Sequence, residues 1–186
     1  MHQIFYTFFC LFFLQNAALS QEVATKKRIT RIEAGYAAGV SGDSYFYVAN
    51  QGVVGAVAHG LQWEKLAVLG GIGFESYDDV HFIPFFMELS KPFGKQKNSD
   101  FRVRLGYAPG FSSTEIDQPE YHFDGGAFIQ TGLGIPIVQQ TDFNLKLRFD
   151  YKYQHAQFLF QPFDGMNRIE TRLYYHFGSL KVAVEF

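Results

Sequence analysis

Apolar and polar residues alternate strictly from Phe143 to Gln154. Phe143, Leu145, Leu147, Phe149, Tyr151 and Tyr153 interleave with Asn144, Lys146, Arg148, Asp150, Lys152 and Gln154. Period two is the repeat of a β-strand with two unlike faces. Wound as a helix, these residues would spread charges and rings around the whole circumference, which neither a core nor a lipid-facing surface accepts. Weaker copies of the pattern recur. Ile32, Ala34, Tyr36, Ala38 and Val40 oppose Arg31, Glu33, Gly35, Ala37 and Gly39, and residues 46–58 are apolar on both faces. Leu66, Val68, Gly70, Ile72 and Phe74 form a third segment, and Ile83, Phe85, Met87 and Leu89 a fourth opposite Glu88 and Ser90. Phe101 to Tyr107 alternates around Arg102 and Arg104, Tyr121 to Ile135 around His122 and Asp124, and Ile169 to Phe177 around Glu170 and Arg172. The spacing predicts eight strands in one domain.

The connections fall into two classes. Residues 59–64, 92–100 and 136–142 form one set; 41–45, 76–80, 109–120 and 156–166 form the other, which holds the two longest loops. Short turns at one end and longer loops at the other are the asymmetry of a bacterial outer-membrane barrel. Two charge-free stretches, 44–63 and 125–141, invite a helical membrane reading. Their glycines and their polar Asn50, Gln51, Gln62, Gln130 and Gln139 rule out a lipid-facing helix.

Burial energetics then fixes the expected orientation of the faces. A Lys or Arg facing mid-membrane lipid costs ~2–4 kcal/mol, so Lys146, Arg148, Asp150 and Lys152 are expected inside. Arg31, Glu33, Glu88, Arg102, Arg104, Asp124, Glu170 and Arg172 join them as lumen charges of both signs. Tyr107, Tyr121, Tyr151, Tyr153 and Tyr175, near strand ends, are the expected aromatic girdle. A barrel of eight strands is only wide enough for side chains to fill, so this lumen reads as a plug of ion pairs.

Composition narrows the alternatives. The 186 residues are 47% hydrophobic, with 22 Phe, 11 Tyr and 18 Gly, which excludes intrinsic disorder. A net charge of -2 removes the basic footprint of a nucleic-acid binder. The single Cys, Cys10, makes neither an internal disulfide nor a Cys-based zinc site. Residues 4–14 are an apolar run of signal-peptide length, followed by Ala17-Ala18-Leu19-Ser20, so residues 1–20 read as a signal peptide cleaved after Ser20. Residues 21–27 then form an N-terminal periplasmic segment and residues 28–186 the barrel.

With these features in place, the chain resembles the small outer-membrane β-barrels of gram-negative bacteria, of the OmpA-transmembrane-domain and OmpX-like type. The residues carrying the resemblance are the signal peptide, the eight alternating segments, Gly70-Gly71-Ile72-Gly73-Phe74 and the terminal Leu180, Val182, Val184 and Phe186. It implies an all-β, eight-stranded antiparallel up-and-down transmembrane barrel in the cell outer membrane. It further implies outer-membrane lipid as surroundings, and the final strand with Phe186 as the signal read by the barrel-assembly machinery. One feature departs from regularity. The outward set runs on odd numbers to Phe177 and on even numbers from Leu180, so a bulge at Gly178-Ser179 is expected, or else a turn opening an extra hairpin strand.

Chemistry is sparse. His59, His81, His122, His155 and His176 lack paired metal-ligand spacing, and Asp78, Asp79, Asp117 and Glu120 lack calcium-loop spacing. Neither metal, cofactor nor catalytic residue is assigned. The expected role is structural or surface contact through loops 109–120 and 156–166, with the loop partner unspecified. Two alternatives stand beside it. One is a lipid A deacylase-like enzyme built from Ser112 or Ser113 with His122 and Asp124. The other is an exported lipocalin-like barrel binding an apolar ligand, against which an 18% charged composition weighs. Mass spectrometry of the mature N-terminus is expected to find Gln21; an uncleaved Met1 would refute the processing site.

Overall fold

Eleven strand segments carry out the alternation: β1 (Lys27–Gly42), β2 (Tyr47–Gln62), β3 (Ala67–Tyr77), β4 (Val80–Phe82), β5 (Phe85–Phe93), β6 (Ser99–Ala108), β7 (Gly110–Ser112), β8 (Tyr121–Asp124), β9 (Gly126–Gln139), β10 (Asn144–Phe160) and β11 (Ile169–Glu185). They are seen in a computed structural model, which describes residues 26–42, 47–78, 80–94, 98–112, 121–160 and 169–186. Residues 1–20, expected to be a signal peptide, lie outside the described residues, as do 113–120 and 161–168 of the two long connections. Three pairs of segments are single staves with one interruption. β4 continues into β5 across Ile83-Pro84, β6 into β7 across Pro109, and β8 into β9 across Gly125.

The eight staves pair antiparallel, each with its sequence neighbours, and the ring closes where β11 meets β1. Closure runs from Arg31 opposite Glu185 to Gly42 opposite Tyr174. Thr30 and Phe186 extend it, each backbone N–H donating to the other's carbonyl at 3.2 and 2.9 Å. A closed ring leaves no unpaired edge along this wall, which removes the exposed strand edge that an open sheet would carry. Two connections at the N-terminal end are tight, with Trp63 N–H donating to the Leu66 carbonyl and Gln140 N–H to that of Phe143. No helix of the described residues is long and apolar enough to cross a membrane.

Burial follows the alternation with the usual sense reversed. Ile32, Tyr36, Val53, Val57, Ile72, Phe85, Met87, Leu105, Ile129, Leu133, Phe149, Leu180 and Val182 are exposed on the outer wall. Arg31, Glu33, Glu88, Arg102, Arg104, Arg148 and Asp150 are buried inside.

Several strands run further than their patterns predict. β2 continues through His59 to Gln62, where Thr30 Oγ1 and His59 Nδ1 lie 2.9 Å apart across the seam to β1. β10 continues through Ala156 to Phe160, with its upper end paired to β8. The expected loop 109–120 opens with β7, which pairs with β4.

The expected irregularity at Gly178-Ser179 is absent. β11 keeps one register on both neighbours there, with Ala38 and Tyr151 opposite Gly178, and Ala37 and Asp150 opposite Ser179. Odd residues face the lumen throughout, so Tyr175, Phe177, Lys181, Ala183 and Glu185 are all buried. There is neither a bulge nor an added strand at that point.

The glycine bulge sits instead at Gly125. Gln154 pairs with Phe128 but Gln157 pairs with Asp124, so three steps along β10 match four along its partner. The extra residue shifts the phase and turns Phe123 into the lumen, where it is buried. A Cβ at Gly125 would collide with the Ala108 carbonyl oxygen, whereas one at Gly178 would make an ordinary contact with the Ala38 carbonyl oxygen at 3.9 Å. Gly125→Ala is therefore expected to cost about 1–3 kcal/mol, and Gly178→Ala to leave stability unchanged. Urea titration of the refolded barrel checks both, and equal midpoints would refute the placement of the bulge.

Candidate functional site

The feature with the densest chemistry is the filled lumen. Nine of the twelve expected lumen charges are buried there: Arg31, Glu33, Glu88, Arg102, Arg104, Lys146, Arg148, Asp150 and Lys152. Glu75, Asp100, Lys181 and Glu185 are buried with them. Lys181 and Glu185 were legible, because they alternate with the outward Leu180, Val182, Val184 and Phe186. Asp100 was not, because the pattern assigned it to a turn.

The ions form stacked layers. Lowest, Lys146 Nζ lies 2.6 Å from Asp100 and 2.7 Å from Glu185, and Arg148 Nη2 donates to Glu185 at 2.7 Å. Arg31 joins this layer to the next, with Nε 2.7 Å from Glu185 and Nη1 on Glu88. In the middle layer Arg102 grips Asp150 with two bonds, at 2.9 and 2.5 Å, and reaches Glu33 at 2.6 Å. Arg104 clasps Glu33 with both terminal nitrogens, at 2.5 and 2.9 Å, and donates from Nε to Glu88 at 2.6 Å. Lys181 Nζ lies 3.3 Å from both Glu33 and Asp150. Forked guanidinium-carboxylate pairs of this kind are strong and directional, so β6 is held at a fixed height against β10 and β1, neither of which is its neighbour in the ring.

Above the ions the lumen turns aromatic. Lys152 forms the joint, 2.5 Å from Glu75 and 4.6 and 5.4 Å from the ring centres of Phe128 and Phe82. Tyr77 stacks on Phe177 at 4.1 Å, and Phe82 meets Tyr77, Phe123 and Tyr175 edge to face at 6.2, 5.6 and 5.4 Å. Between the two layers lies a void of about 10 Å³, lined by Glu75, Tyr77, Gln130, Lys152, Phe177 and Lys181 among others. That is the size of a single water.

Three expected lumen charges and one expected girdle residue are placed elsewhere. Glu170 and Arg172 are exposed, high on β11. Asp124 is half-buried beside the inward Phe123, so alternation directs it away from the lumen. Tyr175 is only 2% exposed and belongs to the aromatic layer. Of the other girdle residues, Tyr107 and Tyr151 are exposed on the wall and Tyr153 is half-buried; the side chain of Tyr121 lies outside what the structure describes. A girdle residue absent from the expected set is Tyr174, stacked with Tyr153 at 6.2 Å and edge-on to His155 at 5.5 Å. His176 Nδ1 and the Tyr151 hydroxyl are 2.7 Å apart on the same patch. Leu180, Val182 and Phe186 are exposed on the outer wall and Val184 is half-buried there.

Two of the residues considered for a hydrolase, Ser112 and Asp124, have described side chains. Ser112 is buried on the lumen side while Asp124 is directed away from it, and Ser113 and the His122 side chain lie outside the described residues. Among the described residues no group of three or more His, Cys, Asp or Glu is placed to hold a metal ion.

No protein-family model matches the chain, and no curated protein matches it at a significant level. Its fold is nevertheless shared with solved outer-membrane barrels. The outer membrane protein AlkL, determined by solid-state NMR in lipid bilayers, superposes with a TM-score of 0.57 at 10% identity, over 90% of this chain and 93% of that one. Neisserial surface protein A gives 0.51 at 13% identity, over 84% and 95%. Likeness at this identity establishes the architecture of a small outer-membrane barrel.

Removing the hub of the middle layer tests the network. Glu33→Leu deprives Arg102, Arg104 and Lys181 of a shared carboxylate, and stranding buried charge costs about 3–5 kcal/mol. Glu170→Leu is expected to change nothing. Urea midpoints of the two variants in the same lipid would refute the lumen assignment if they fell together.

Proposed function

We propose that the protein is an integral barrel of the cell outer membrane, exported by residues 1–20, with a structural or surface-contact role and without a conducting pore or a catalytic centre. The observation that carries this reading is the inverted partition of the wall. Charged residues are inside and Ile, Leu, Val, Phe and Met outside, the reverse of a water-soluble barrel. A lipocalin-like barrel needs an apolar cavity within and a polar exterior, whereas the described residues of this chain bury their charges and expose their apolar side chains. β5 and β6, of 9 and 10 residues, match the ~9–11 residues a tilted strand needs to cross a bilayer.

The filled lumen supports a role other than permeation. Ion pairs and stacked rings occupy the cross-section at successive heights, and the void between the two layers has the size of about one water. A hydrated ion has no path through such a column without breaking several buried pairs. Contact with other molecules then falls to the outer face, through the connections between β7 and β8 and between β10 and β11. Outer-membrane lipid surrounds the wall, and the barrel-assembly machinery reads the final strand with Leu180, Val182, Val184 and Phe186.

Cell fractionation is expected to recover the protein only with detergent, in the outer-membrane fraction, and to show heat-modifiable migration on a denaturing gel. Recovery in a buffer-soluble periplasmic fraction would sink the membrane assignment. Planar-bilayer recordings are expected to show no discrete conductance steps, and regular steps would refute the sealed lumen.

A further inference from the structure

Charge is unevenly spread around the N-terminal rim of the barrel. Lys26, Lys27 and Arg28 at the foot of β1, Lys65 in the turn between β2 and β3, and Lys91 on β5 are all exposed. Among the described residues this arc of the rim holds one acid, Glu64, beside Lys65 in the turn. The arc from β6 to β11 has no exposed cation at this rim among the described residues, and its exposed charged side chain is Asp142. One side of the rim is basic and the other is not.

Two of the cations leave the barrel on its outer face. β1 turns Ile29 and Arg31 inward, so Arg28 points outward, opposite the exposed Leu61 of β2. β5 turns Glu88 and Ser90 inward, so Lys91 points outward, opposite the exposed Phe101 of β6 and between Leu89 and Phe93. Lys65 stands between them around the rim, in the turn closed by the Trp63–Leu66 bond, with exposed Leu66 beside it. Arg28, Lys65 and Lys91 thus mark the lower edge of the apolar wall. Long cationic side chains at such an edge lay their methylenes on apolar surface and hold the charge at headgroup level.

We propose that the β1–β5 arc of this rim is a binding site for the phosphate headgroup of an anionic glycerophospholipid, with Arg28, Lys65 and Lys91 as its cationic contacts. This rests on the membrane placement proposed above, in which this rim meets the periplasmic leaflet. A lipid is the fitting occupant, and not a soluble anion beneath the barrel mouth, because Arg28 and Lys91 rise from the lipid-covered wall among apolar neighbours. Charge then selects the kind of lipid. A zwitterionic headgroup neutralises its own phosphate, whereas an anionic one leaves that charge for the protein. Because the cations are one-sided, the anionic lipid gathers on one side of the barrel and not as a ring.

The chain has a single Trp, Trp63, two residues from Lys65, so the unaltered protein carries its own reporter. The protein is reconstituted in mixed vesicles of phosphatidylcholine and phosphatidylglycerol, with one or the other lipid brominated near the head of its chains, and Trp63 quenching reads which lipid is adjacent. A Lys or Arg at an anionic surface contributes about fivefold in association, so phosphatidylglycerol is expected to be preferred by about fivefold or more at low ionic strength. Screening in about 0.5 M salt is expected to reduce the preference, and the triple variant Arg28→Gln, Lys65→Gln, Lys91→Gln to abolish it. Arg172→Gln, at the opposite end of the barrel, is expected to retain it. Equal quenching by the two lipids in the unaltered protein, or a preference that survives the triple substitution, overturns the site; flotation of the protein with the vesicles leaves the membrane reading standing. Failure to float overturns both. Where the triple variant does not refold, a preference in the unaltered protein that salt leaves undiminished overturns the site.

Discussion

Everything in this barrel depends on the cost of turning a cation toward lipid. Seven cations, Arg31, Arg102, Arg104, Lys146, Arg148, Lys152 and Lys181, lie buried in the lumen with six carboxylates, Glu33, Glu75, Glu88, Asp100, Asp150 and Glu185. Facing outward, each Lys or Arg would lose ~2–4 kcal/mol. Facing inward, each enters a space too narrow for bulk water and must find a carboxylate there. Glu33 and Glu88 answer that demand for several partners at once, so the network is shared among staves.

Partition and pairing together explain the two halves of the lumen. The lower half holds side chains that need specific partners, and it is where staves are fixed in height against one another across the lumen. The upper half holds rings that pack by shape, and all three interruptions of the wall occur beside it. Irregular backbone is tolerated where packing is aromatic and adaptable, because no forked ion pair there requires two strands to stay in strict step.

The same division governs how much could be read from the residues. Wherever a charge occurs within the apolar belt its direction is fixed, and Lys146, Arg148, Asp150 and Lys152 place their strand without help from structure. An aromatic residue carries no such instruction, since lipid and a ring-filled lumen both accept it. Tyr175, Phe177 and Phe123 therefore read as outward although all three point in. Glu170 and Arg172 mislead for the complementary reason: high on β11 a charge is exposed at little cost. The apparent phase of the aromatics changes at Gly178, yet the bulge lies at Gly125, where two glycines conceal it in a seemingly regular run. The strand count, the pairing order and the ionic half of the lumen were legible; the aromatic half was not.

The forked pairs also act on structures the protein never adopts. If β10 slipped by one residue against its neighbours, its two faces would exchange, and Lys146, Arg148 and Lys152 would enter the bilayer together. At ~2–4 kcal/mol apiece that error amounts to roughly 6–12 kcal/mol, comparable to the whole stability of a typical domain. The ionic column is thus a proofreader of strand alignment, rejecting misregistered barrels during assembly before it stabilises the correct one.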